Sequence, residues 1–88
     1  MEWKNINGTG DNKASKTWLD VWKERTGYKG NPPCGRKGCG NNATLGGHVK
    51  KVNSADNSWH LLPLCDSCNR LADPFEKKDT IPVAPAAK

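Results

Sequence analysis

The chain has 88 residues, enough for one small domain and too few for two independent cores. Hydrophobic residues make up 34% and charged residues 26%, with nine Gly and six Pro, a balance that excludes a large apolar interior and calls for many turns. The longest apolar runs, such as Leu61 to Cys65, fall far short of the roughly 20 residues of a membrane helix. Met1-Glu2-Trp3-Lys4 opens no signal-peptide apolar region, so a soluble, cytoplasmic monomer with no membrane partner is expected.

Residues 1–14 carry Asn5, Asn7, Gly8, Gly10, Asp11 and Asn12 with no apolar period, Trp3 being the exception, and read as a flexible segment. From Ser15 the spacing of Trp18, Leu19, Val21, Trp22 and Arg25 predicts an amphipathic helix over 15–27, with Ser15 or Thr17 as N-cap and Gly27 as stop. Trp18 and Trp22 lie one turn apart and share a face, which so small a domain needs for its core more than for a ligand. Lys29 to Pro33 cannot hold regular structure and leads into Cys34-Gly35-Arg36-Lys37-Gly38-Cys39-Gly40, a glycine-dense turn suited to a knuckle. Ala43 to Val52 and Trp59 to Leu64 read as a hairpin with a wide turn at 53–58. Cys65-Asp66-Ser67-Cys68 then enters a helix that ends near Asp73, or restarts at Pro74 and runs through Lys78. The Pro/Ala-rich residues 79–88 read as a disordered tail.

Four cysteines allow two disulfides or one metal site. Cys34 and Cys39 enclose four residues, Cys65 and Cys68 enclose two, and 25 residues separate the pairs. Two short pincers suit a tetrahedral Zn²⁺ with sulfurs about 2.3 Å away, whereas disulfides more naturally join distant points. Four thiolates leave no open position for water, so such a zinc is structural. Fourteen Lys and Arg against nine Asp and Glu give a net charge of +5, which a zinc tetrathiolate would lower to +3. Residues 1–44 hold eight basic and four acidic groups, residues 45–88 six and five, so the excess lies in the first half. That excess is compatible with a polyanion partner and equally with solubility alone.

Knuckle, hairpin, and a helix whose first turn carries the last two cysteines is the treble-clef order. The expected architecture is α+β: a zinc-stabilised treble clef over 31–78 with an extra N-terminal helix, together one domain over 15–78. Gly46-Gly47-His48-Val49 followed by His60-Leu61-Leu62-Pro63-Leu64-Cys65-Asp66-Ser67-Cys68-Asn69 resembles the zinc-bearing form of the HNH endonuclease family, over roughly residues 34–72. The resemblance implies catalytic positions at His48, as the base that activates water, at His60, where the family has its central Asn, and at Asn69, where a final His or Asn often ligates the catalytic ion. It also implies Mg²⁺ or Mn²⁺ if the chain is a nuclease. Gly47 stands where the family usually has an Asp or His ligand, and such an ion normally needs a hard oxygen ligand. Asp56, Asp66 or Asp73 could substitute, but no spacing requires it.

His48 is thus either a general base or a strand residue bonded within the hairpin or stacked on Trp59, and without a neighbouring ligand the packed reading is favoured. Strand alternation puts His60 beside Leu62 and Leu64, where packing is its more natural role. Arg36, Lys37, Lys50, Lys51 and Arg70 are candidate phosphate contacts if they converge on one face, and a solvated surface if they do not. Three functions follow: a nucleic-acid-binding module, DNA favoured, without a complete catalytic site; an active divalent-dependent endonuclease; or a protein-binding adaptor or inhibitor anchored by Trp3, Tyr28 or the tail.

Overall fold

The computed structural model describes residues 2–6 and 12–86, the side chains of 12–17 excepted. These residues build two helices and an antiparallel sheet: β1 (Glu2–Asn5), α1 (Asn12–Thr26), β2 (Leu45–Lys51), β3 (His60–Leu64), α2 (Asp66–Asn69), β4 (Phe75–Glu76) and β5 (Ala84–Pro85). The sheet runs β4-β1-β2-β3-β5, so the expected β2–β3 hairpin is its middle and β1 and β5 flank it. The α+β class and the hairpin agree with the sequence reading; several boundaries do not.

Residues 2–5 are not loose. Trp3 pairs with Lys51 of β2 on one side and with Phe75 of β4 on the other, and its indole is only 4% exposed. Residues 7–11 of the same expected flexible segment lie outside the described residues. Helix α1 starts by Asn12, so Ser15 and Thr17 sit within it rather than capping it, and it ends at Thr26 with Gly27 at φ 73°.

Nor is the segment after Asp79 disordered where it is described. Ile81 and Ala84 are 2% and 1% exposed, and β5 pairs its two residues with His60 and Leu61. The Trp22 indole N–H donates to the Pro82 carbonyl at 2.9 Å, while Arg25 donates to the Pro85 carbonyl, so this segment clasps α1. The apolar spacing of Ile81, Val83 and Ala84 carried that information, masked by Pro82 and Pro85. The second helix is shorter than expected. It makes one turn, and the Asn5 side-chain amide donates to the carbonyls of Cys68 and Leu71 at 3.0 and 2.9 Å where a longer helix would have used its own N–H groups. Pro74 biases Asp73 away from helical angles, and Phe75–Glu76 form a strand instead of a restarted helix.

Side chains alternate across the sheet, so β2 presents different residues to its two faces. A Cβ on Gly46 would lie 2.6 Å from the backbone of Trp18 and Leu19, which places Gly46, and with it His48 and Lys50, on the α1 face. A Cβ on Gly47 would meet Asn69 and Leu64 at 2.7 Å, which places Gly47, Val49 and Lys51 on the opposite face with α2. Trp3, Val49, Leu62, Leu64, Phe75 and Cys68 form the core on that second face, while Trp22, Leu61 and Ala84 fill the space under α1.

Candidate metal centre and the surfaces around it

The knuckle residues 34–39 follow an irregular run and are held at three points. Cys34 N–H donates to Asn41 O at 2.8 Å, Gly35 N–H to Pro63 O at 2.7 Å, and Cys39 N–H to Arg36 O at 3.1 Å. The last bond closes a turn in which Gly38 takes φ 86°, the left-handed region where glycine is at ease. Gly35 also fixes the knuckle to the hairpin, and Lys78 N–H reaches Gly35 O at 2.8 Å from the other side. The second pair stands at the end of β3 and in α2, where Asn69 N–H donates to Cys65 O.

These supports bring the four sulfurs of Cys34, Cys39, Cys65 and Cys68 within 4.8 Å of one another. The Cys39 and Cys65 sulfurs are 3.9 Å apart, close to the roughly 3.8 Å edge of a tetrahedron with metal–sulfur bonds of about 2.3 Å. The sulfurs thus meet at one point, as a single metal ion requires and as two separated disulfides do not. Three of the cysteines are buried and Cys39 is half-buried.

The surroundings distinguish the thiols. Burial pushes the Cys65 thiol up, but the Cys68 backbone N–H, the Cys68 thiol, the Asn41 side-chain amide 3.8 Å from the sulfur and the Cys34 thiol together outweigh it and bring Cys65 down to about 7. Burial raises Cys34, and burial together with the neighbouring sulfurs raises Cys68. Cys65 is therefore the sulfur best prepared to be a thiolate, and an incoming cation would draw protons from the others. Asn41 carries no sequence signal for this role. Lys78 was equally hidden, lying far along the chain, yet its ammonium bonds the Cys39 carbonyl at 2.7 Å and so steadies the knuckle.

The three residues implied as catalytic are not brought together. His48 lies on the α1 face between two indoles, edge-on to Trp18 with ring centroids 4.9 Å apart and to Trp59 at 5.8 Å. Desolvation there lowers its pKa, keeping the ring neutral near pH 7. Asn69 lies across the sheet, packed over Gly47. The space in which a metal-ligating side chain at position 47 would stand is taken by Asn69 and Leu64. His60 shares that second face but sits farther along β3, opposite Val49, with its ring edge-on to Trp3 at 5.4 Å. Its Nδ1 is buried without a hydrogen-bond partner among the described residues. Of the three substitute carboxylates, Asp56 accepts from Ser58 N–H and from Lys51, and Asp66 pairs with Arg70. Asp73 is exposed in the segment between α2 and β4.

The five candidate phosphate contacts do not share one face either. Lys51 is held by Asp56 at 3.0 Å, and Arg70 by Asp66 at 2.9 Å. Arg36 and Lys37 occupy the knuckle, where Arg36 forms an isolated bridge with Lys77, and Lys50 faces the α1 side of the sheet. The anchors considered for a protein partner are built into the fold: Trp3 is buried, Tyr28 packs against Trp22 with centroids 5.2 Å apart, and residues 81–86 complete the sheet side of α1. Among the described residues no helix is long and apolar enough to cross a membrane.

Comparison with known proteins adds no relative: no family model matches the chain, and neither do the curated proteins or the solved structures searched.

Proposed function

We propose that this chain is a small zinc-binding protein of treble-clef type, related to the HNH endonucleases, that binds nucleic acid and does not cleave it. The convergence of four cysteine sulfurs within 4.8 Å carries the zinc reading, because soft thiolates in a closed tetrahedral set select zinc over the hard divalent ions. The order of knuckle, β2–β3 hairpin and the single turn α2 supports the treble-clef assignment. A binding role without hydrolysis is favoured by two packing facts. His48 is separated from Asn69 by the sheet, and Gly47 leaves no carboxylate between them. A base without a metal-held electrophile has nothing to activate. The basic excess, which persists at +3 with zinc bound, favours a polyanion.

The deciding experiment incubates the zinc-bound protein with plasmid and single-stranded DNA in Mg²⁺, Mn²⁺ or EDTA, with His48→Ala in parallel. The expected result is retarded mobility without cutting, identical for both proteins. Divalent-dependent nicking that disappears in His48→Ala would replace this reading with that of an active nuclease.

A further inference from the structure

Two lysines stand directly opposite one another on β1 and β2. Lys4 and Lys50 are register partners on the α1 side of the sheet, and among the described residues neither meets a carboxylate within 4.0 Å. Like charges placed opposite each other on adjacent strands repel, and an anion laid across them removes that cost. Two other members of the basic set, Lys51 and Arg70, already have carboxylate partners.

Beside this pair stands an aromatic group. His48 precedes Lys50 by two residues and so shares its face, and Trp59 precedes His60, whose partner is Val49, so it lies at the Lys50 end of β3. The His48 ring stands edge-on to both Trp59 and Trp18, which fixes the indoles in place while each remains partly exposed. Fixed aromatic surface next to cations that meet no carboxylate among the described residues is the chemistry of single-strand recognition: an unstacked base offers a π-face to the indole, and the flanking phosphates meet the ammonium groups. A duplex keeps its bases stacked and offers only the second of these contacts.

We infer that the α1 face at the Lys50 end of the sheet binds single-stranded nucleic acid, with a base on Trp59 and phosphates on Lys4 and Lys50. This rests on the nucleic-acid reading above and adds which form is bound and where. The test titrates the zinc-bound full chain with oligothymidylate, oligouridylate and a duplex of equal length, following tryptophan fluorescence and anisotropy. Either single strand should quench the fluorescence and bind more tightly than the duplex, and the two arms tell DNA from RNA. Trp59→Ala should weaken single-strand binding roughly tenfold while Trp59→Phe retains most of it. The double variant Lys4→Glu/Lys50→Glu should reduce the salt slope by about one for each lysine. If Trp59→Ala does not fold, the double lysine variant decides alone. Binding that is indifferent to these changes but lost in Lys37→Glu would overturn the inference and leave the nucleic-acid reading standing, as would tighter binding of the duplex. No binding of any strand would overturn both.

Discussion

Gly46 and Gly47 are sequence neighbours that a substitution would treat differently. At Gly46 a Cβ runs into the α1 backbone at Trp18 and Leu19, and a helix backbone cannot step aside without unseating its whole face. At Gly47 the atoms in the way are the ends of the Asn69 and Leu64 side chains, which can turn. Gly46→Ala should therefore destabilise the protein by about 2 kcal/mol, and Gly47→Ala by clearly less. Urea midpoints of the two zinc-bound variants check this, and equal losses would mean that α1 does not lie directly on β2. Both glycines were visible in the sequence as part of a motif, but their separate reasons were not, because nothing local says that a helix 27 residues earlier will press on one of them.

At the scale of elements, the sharpest difference from expectation is the segment after Asp79. Its prolines argue against regular structure locally, and local rules have no view of the groove between β3 and α1 that it fills. Removing residues 81–88 would expose the site of the buried Ile81 and strip the Trp22 indole N–H of its acceptor at Pro82. The expected loss is about 3 kcal/mol or more, seen as a lower denaturation midpoint. An unchanged midpoint would mean the segment is a dispensable tail after all. Elements with strong local signals were legible: the helix through Trp18 and Trp22, the turn at 53–58 between two β-rich runs, and the two cysteine pincers. β1 was not, since four residues, Glu2–Asn5, form a strand only by being inserted between β2 and β4. The sulfur cluster was legible from spacing alone, whereas the partition of His48 and Asn69 onto opposite faces needed the register of β2, which a reading by motif does not supply.

For the molecule as a whole, the four-cysteine cluster is the point at which three separate regions of the chain meet. The knuckle, the end of β3 and α2 contribute the four sulfurs, and a zinc ion held there, as proposed above, would add on the order of 10 kcal/mol, more than a core this small supplies. Chelation, or Cys65→Ala, should collapse the dispersion of the amide spectrum, and a metal-free protein that kept its dispersion would show the core sufficient by itself. The sign of the pH dependence follows from the thiols. Cys34 and Cys68 are raised above their ordinary value and Cys65 lies at about 7, so near neutrality zinc must displace protons. Affinity should rise with pH and fall as acid returns protons to the sulfurs, and calorimetry in buffers of different ionisation enthalpy would read the protons released.

The position of β1 bears on the order in which the parts can form. Trp3 waits for Lys51 and then for Phe75, so β1, made before both of its partner strands, is among the last to gain both neighbours. Pairings this distant in sequence slow the search for the native state. The pincers close short loops and the hairpin is local, so these can be in place while the N-terminal strand is still unpaired. During that interval the flank of β2 that β1 will occupy is an open ladder, and the unfinished protein is most exposed to association with another chain there.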